Sequence, residues 1–338
     1  MQKAAVLNKI NEFPKIENIP DDEVSDDELI IEQEETGICY RDILTMKGFF
    51  PRVQLPIVPG HEISGRVRKV GSKVTKFKIG DRVASLIYIP CGECEYCKSG
   101  RENLCRNKKT FGEIINGAYR KYVKTKEISL VKVPDGVPEE AAVISACVTG
   151  MIIQALETVG EIKEGNRVLV TGSGGGVGAH AIQIAKAFGA EVIAETSSDW
   201  KAEFLKKLGV DHVVSKDNMA QKIKELTNGE GVDISLETVG APTFTESFRS
   251  LKFGGRVVVI GNVDVTPVSL PLGNLILKGN SIRGSISSTR KDMIKALEWS
   301  RTGKIKPIVG KIYKMDQINE AYNDMENKKI FGRAFIKL

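Results

Sequence analysis

The chain has 338 residues, 41% of them apolar and 6% aromatic, with a formal net charge of +6, a length that accommodates two domains of ordinary size. Lysines alternate with acids in 201–207 and 222–225, so the charge lies on solvated helical faces; the concentrated basic surface with interleaved aromatics that a nucleic-acid partner needs is missing. No apolar run approaches the roughly 20 residues that cross a bilayer, and residues 1–7 lack the basic flank and apolar stretch of a secretion signal, so a cytoplasmic protein with reduced cysteines and no membrane partner is expected.

In chain order, residues 1 to about 145 alternate short β-type runs with Gly and Pro punctuation. Strands are predicted over 29–33, 62–70, 82–88 and 119–123, interrupted by Pro51, Pro56, Pro59, Gly60, Gly71 and Gly80, which together read as a small irregular β-barrel. From Asn166 the rhythm changes. Strands at 167–171, 191–194 and 211–214 are each followed by an amphipathic helix, at 176–188, 199–208 and 220–226. The runs 232–236, 244–251 and 256–260 continue the alternation, a pattern that builds a parallel sheet covered on both faces. A helix follows Arg290 to about Arg301, and the last strand, 334–337, has no helix after it and is free to return to the first domain. The expected domains are 1–145, 146–285 and the return segment 286–338, in an α/β fold.

Within 90–106, Cys91, Cys94, Cys97 and Cys105 form C-x2-C-x2-C-x7-C. Short spacers let four thiolates reach one zinc ion at roughly 2.3 Å, which is the pattern of a closed structural site. A pair of disulfides is the alternative, and the expected reducing compartment argues against it. The other two of the six cysteines, Cys39 and Cys147, lie far apart in the chain.

Between the strand ending at Thr171 and the following helix lies Gly172-Ser173-Gly174-Gly175-Gly176-Val177-Gly178. Glycines at a strand-to-helix turn let backbone N–H groups approach a pyrophosphate at the helix N-terminus. The register is G-x-x-G-x-x-G on Gly172, Gly175 and Gly178, since valine stands at 177. At the tip of the next strand, two outcomes are open. Thr196, Ser197 and Lys201 at the ribose favour NADP, whereas Glu195 turned into the pocket would favour NAD; NADP is the preferred expectation.

Four islands resemble the zinc-containing medium-chain dehydrogenase/reductases: residues 37–42 (Gly-Ile-Cys-Tyr-Arg-Asp), 59–62 (Pro-Gly-His-Glu), the four-cysteine lobe, and the glycine-rich turn with 181–186. The resemblance spans nearly the whole chain. It implies a GroES-like β-barrel catalytic domain, a Rossmann doubly wound parallel-sheet domain between its two parts, and two zinc ions per chain. The catalytic zinc would be held by Cys39, His61 and Cys147, with Glu62 as exchangeable ligand and Asp42 orienting His61. Thr149, Val239, Gly261 and Asn262 would join Gly172, Gly175, Gly176, Val177 and Gly178 around NADP(H). A homodimer or homotetramer is also implied, with 257–260 and 275–277 as candidate contact runs.

Two positions depart from the alcohol dehydrogenases of that family. Arg41 stands where a Ser or Thr hydroxyl relays the alcohol proton, and arginine stays protonated and cannot pass a proton that way. Met151 stands where a nicotinamide-contacting threonine is expected, for which Thr149 is the candidate substitute. The strings 39–42, 147–152, 238–244 and 260–264 resemble a subgroup, the archaeal acryloyl-coenzyme A reductases. The leading expectation is therefore hydride transfer from NADPH to an enoyl thioester, with zinc or Arg41 stabilising the thioester oxygen. The alternatives are an alcohol dehydrogenase or aldehyde reductase with Tyr40 as proton relay, and a non-catalytic NADP-binding sensor.

Overall fold

The computed structural model describes every residue except 265 and 271. It divides into two units, one of Met1–Met151 with Ser287–Leu338 and one of Ile152–Ile286.

The first unit is built on an antiparallel five-stranded sheet in the order Leu130–Lys132, Arg82–Ser85, Ile63–Val70, Glu28–Glu32, Tyr122–Lys126. Leu29, Ile31, Ile63, Val67, Val83, Phe111 and Val123 fill its inner face. Along Ile63–Val70, Val67 is buried between the exposed Arg66 and Arg68, as a half-solvated sheet requires. The strand expected at 119–123 lies three residues later. Its register is set by pairing Tyr122 with Glu32, while Tyr119 turns away, its N–H bonded to the Pro59 carbonyl at 3.1 Å.

The last strand, Arg333–Lys337, pairs antiparallel with Glu35–Ile38 and parallel with Val309–Lys314. Beneath this small sheet, Ile38, Ile43, Tyr119, Tyr313, Tyr322 and Ile336 form a second core. The chain end is thereby packed against the segment that leads into Cys39.

Glu35 opens that segment and is 6% exposed, with Oε1 lacking a hydrogen-bond partner. Burial, then the charges of Glu140 and Glu139, push its carboxyl up to about 7, with Lys337 opposing and Glu34 adding to the rise. The native state therefore holds the proton more tightly than the unfolded chain. The associated stability is full below pH 4.5 and is lost as pH rises through about 7. Glu35→Gln is expected to flatten this decline and to gain about 2 kcal/mol at pH 8 after allowance for solvent screening. Urea melts of both proteins at pH 5 and pH 8 check it, and parallel pH dependences would refute it.

The second unit is a six-stranded parallel sheet in the order His212–Val214, Glu191–Glu195, Arg167–Val170, Val232–Glu237, Leu251–Val259, Ser281–Gly284. Numbered within the unit this is 3-2-1-4-5-6, the order that reverses direction beside the first strand and leaves a crevice at the strand ends there. Val168, Leu169 and Val170 are wholly buried because helices cover both faces of a parallel sheet. The same burial claims Val257 and Val258, so these two residues of the run proposed as a contact surface are core. The run 244–251 divides between the helix Ala241–Arg249 and the start of the strand Leu251–Val259. All six cysteines are free thiols, and among the described residues no helix is long and apolar enough to cross a membrane.

Candidate active site and metal centres

Cys39 leaves the strand Glu35–Ile38 and caps the helix Tyr40–Met46. Its N–H donates to Asp42 Oδ2 at 3.0 Å, and the Asp42 N–H donates back to the Cys39 carbonyl at 2.9 Å. This reciprocal cap fixes the backbone on both sides of the thiol. Cys147 lies in the π-helical turn Ser145–Gly150, a rare geometry frequent at functional sites. His61 and Glu62 arrive from the turn before Ile63–Val70.

One candidate ligand atom from each of Cys39, His61, Glu62 and Cys147 lies within 4.8 Å of all the others. His61 Nε2 is 3.2 Å from Cys147 Sγ, and the two sulfurs stand 3.9 Å apart. Tetrahedral zinc with bonds of roughly 2.3 Å to sulfur and 2.0 Å to nitrogen needs separations of about 3.8 and 3.5 Å, so the donor set fits the ion. Burial pulls the His61 pKa down, but the charge and hydrogen bond of Asp42, 3.1 Å from Nδ1, outweigh it and push it up to about 9. The hydrogen bond from Cys147 holds the Cys39 thiol well below its usual range against burial, with Arg333 and His61 assisting; the same bond and burial push Cys147 well above it.

Glu62 is fully buried and its two oxygens face the Arg333 guanidinium, with Nε donating to Oε2 at 3.2 Å and Nη2 to Oε1. A Cβ at Gly37 would fall 1.8 Å from Glu62 Oε2, so a side chain there would displace the carboxylate. Arg41 donates from Nη2 to Glu113 Oε2 and lies 4.9 Å over the Phe50 ring. Tyr40 packs against the second core, and burial raises its phenol, with the charge of Lys47 opposing and that of Glu326 adding to the rise.

In the lobe, Cys94 caps the short helix Glu95–Lys98, which carries Cys97. Cys91 and Cys94 lie 3.9 and 3.5 Å from Cys97, sulfur to sulfur, and the Cys91 N–H donates to Cys105 Sγ at 3.4 Å. These separations also suit four thiolates on one zinc. The buried Glu102 fastens the lobe to the helix Arg290–Arg301, accepting from the Arg290 N–H at 2.9 Å.

In the second unit, Gly172 has φ +58, and its N–H donates to Glu195 Oε2 at 2.8 Å. Gly175 caps the helix Gly176–Ala187, so Gly176 and Val177 supply its first N–H groups. A Cβ on Gly178 would meet the Gly172 carbonyl at 2.4 Å. Val239, Gly261 and Asn262 gather at the neighbouring strand ends. Val239 Cγ2 is 2.7 Å from where a Gly172 Cβ would be, and the Val263 N–H bonds the Val239 carbonyl at 2.8 Å. A carboxylate outside the expected set, the fully buried Glu237, ties the turn together: Oε1 accepts from Thr171 Oγ1, the Val239 and Gly240 N–H groups and Thr243 Oγ1 at 2.7–2.9 Å. The Glu195 strand ends at Glu195, leaving Thr196 and Ser197 beyond it, and Lys201 packs on Gly174, where a Cβ would lie 2.4 Å from its Cδ. Thr149 belongs to the first unit and donates to the Ile144 carbonyl at 3.4 Å.

A family model for the alcohol dehydrogenase GroES-like domain matches residues 25–135, and one for zinc-binding dehydrogenases matches 176–302. The chain belongs to the zinc-binding medium-chain dehydrogenase/reductase family, and it is an oxidoreductase. It is 41% identical to an acryloyl-coenzyme A reductase of Sulfurisphaera tokodaii over 99% of both chains, and 36% identical to an alcohol dehydrogenase of Geobacillus stearothermophilus, also over 99% of both. The solved structure titled AibC superposes with a TM-score of 0.92 at 34% identity, covering 99% of this chain and 95% of its own.

Proposed function

We propose that the protein is a cytoplasmic NADP(H)-dependent reductase of enoyl thioesters, with acryloyl-CoA as its substrate. Cys39, His61 and Cys147 would hold a catalytic zinc with Glu62 as exchangeable ligand, and Cys91, Cys94, Cys97 and Cys105 a structural one. Bound there, the catalytic ion supplies a Lewis-acid position for an oxygen. In the reaction, hydride passes from the nicotinamide to the β-carbon, a proton adds at the α-carbon, and negative charge gathers on the thioester oxygen in between.

The observation that carries the reading is Arg41. It stands two residues past Cys39 and is positioned by Glu113 and Phe50, a fixed cation suited to stabilising that oxygen and unsuited to relaying an alcohol proton. The preference for NADP(H) rests on the neutral hydroxyls of Thr196 and Ser197 after the strand, on Lys201 against the turn, and on the engagement of Glu195 with the Gly172 N–H.

A second reading, carbonyl reduction, is favoured by the His61–Asp42 pair at 3.1 Å, which suits an ion that polarises a carbonyl. The deciding experiment follows NADPH and NADH oxidation by zinc-replete enzyme with acryloyl-CoA and a panel of aldehydes. Fast turnover of acryloyl-CoA with NADPH, idle aldehydes, and a fall of 100-fold or so in kcat for Arg41→Ala, the scale of one oxyanion donor, are expected. Aldehyde turnover with idle acryloyl-CoA would replace the proposal by the second reading. A homodimer or homotetramer is proposed as well, because Ile276 and Leu277 are 76% and 78% exposed on the helix Leu272–Lys278. Sedimentation of the same preparation tests it, and a monomer would refute it.

A further inference from the structure

The geometry points to Tyr119 as a positioning residue for the catalytic metal centre, acting through Asp42 on His61. The inference rests on the reading of Cys39, His61 and Cys147 as metal ligands and is independent of the substrate.

Asp42 is 2% exposed and its carboxylate is held from separate directions. Oδ1 faces His61 Nδ1 at 3.1 Å, while Oδ2 accepts from the Cys39 N–H at 3.0 Å and from Tyr119 Oη at 2.7 Å. The tyrosine contact is the shortest of these. With Oδ2 fully engaged, the carboxylate plane cannot rotate without breaking two bonds in a dry site, so Oδ1 stays aimed at the imidazole. A donor bond from Nδ1 places the lone pair of Nε2 toward the cysteines, the tautomer a metal ligand needs.

Tyr119 is itself fixed to the segment carrying His61. Its N–H donates to the Pro59 carbonyl at 3.1 Å, the neighbouring Ala118 N–H donates to the Gly60 carbonyl at 3.0 Å, and its ring lies against Gly60, where a Cβ would come within 2.7 Å of Cδ1. Gly60 adopts φ +87, which suits glycine and leaves room for the ring. One side chain therefore fastens the His61 turn to the cap of the Cys39 helix, the two segments that bring Cys39 and His61 together. Burial holds the phenol well above its usual range, so it remains a proton donor.

The same core supplies an internal control. Tyr322 is as fully buried as Tyr119 and belongs to the same cluster, and its hydroxyl lies beside that of Tyr119 but makes no hydrogen bond to Asp42. Tyr119→Phe and Tyr322→Phe each delete one buried hydroxyl from one packed core, and only the first deletes a bond to Asp42.

The test uses full-length holoenzyme. Zinc content is measured first, and release of the catalytic ion to a chromophoric chelator is then timed for wild type and both variants. The visible spectrum is recorded after cobalt replaces zinc. Tyr119→Phe is expected to release the ion about 10-fold faster, the lower end of the effect of losing a direct contact to a ligating histidine, since Tyr119 acts one contact further out, and to shift the cobalt bands, while Tyr322→Phe matches wild type in both. Equal release rates and unchanged bands for Tyr119→Phe would overturn the inference. So would equally accelerated release in both variants, which would assign the effect to packing. Wild type binding only the lobe zinc would instead overturn the ligand reading itself, and zinc content separates that failure from the others.

Discussion

Arg333→Ala is expected to destabilise the protein by about 3–5 kcal/mol, the cost of stranding a charge from a broken buried pair, and to remove most turnover. Glu62 is wholly buried, and Arg333, 3% exposed, meets both of its oxygens. Without the guanidinium, the carboxylate must protonate, draw water into the core, or swing permanently toward the thiols of Cys39 and Cys147. Retreat the other way is limited, since the Gly37 backbone already lies against Oε2. Permanent ligation would close the position that a substrate oxygen requires, and the charge that helps hold the Cys39 thiol below its usual range would be lost as well. Arg333→Lys should recover only part of the loss, because an ammonium cannot meet both carboxylate oxygens in a fixed fork. Urea denaturation with zinc analysis checks the prediction. Unchanged stability in Arg333→Ala would show that Glu62 does not depend on this partner.

Arg333 also marks the limit of sequence reading. The cysteine lobe and the glycine turn were legible because their parts lie within a few residues of one another, where spacing alone restricts geometry. The partners that position the active site are different. Arg333 reaches Glu62 across 271 positions, Tyr119 reaches Asp42 across 77, and Arg41 reaches Glu113 across 72. Arg333, Tyr119 and Glu113 are ordinary residues in ordinary contexts, and only the folding of the sheets selects their partners. Glu237 escaped notice for the same reason, since the residue that ends an apolar strand shows nothing of the donors that converge on it. The displaced strand at 119–123 belongs to this group: a short run with two tyrosines and a valine reads as β structure, but contacts of Tyr119 with Pro59 and Asp42 claim its first residues. Gly37 stands two residues before Cys39, and what approaches it is visible only in the fold.

The second large effect concerns the lobe. Cys97→Ser should cost one zinc ion per chain and leave residues 91–105 without order. The bare thiols oppose one another's ionisation: N–H groups of Glu93 and Cys94 pull Cys91 down to about 6, whereas burial pushes Cys97 up to about 12. Near neutral pH the metal-free cluster therefore keeps protons that a bound cation would displace, and with zinc in the lobe most of its structural energy would depend on that displacement. Its segments are too short to hold themselves, the helix Glu95–Lys98 having four residues and the turn Glu102–Leu104 three. If one thiolate supplies roughly a quarter of the 10–16 kcal/mol typical of structural zinc, serine replacement weakens binding by about 3 kcal/mol, on the order of 100-fold, so the variant loses the ion on dialysis against a chelator that wild type withstands. The loss should spread through Glu102, whose bond to the Arg290 N–H fastens the lobe to the helix Arg290–Arg301. Limited proteolysis is the direct readout, with cleavage within 91–105 in Cys97→Ser and in chelated wild type but not in holoenzyme. Two zinc ions retained in Cys97→Ser with a protease-resistant lobe would mean that the thiol of Cys97 packs beside the ion without holding it.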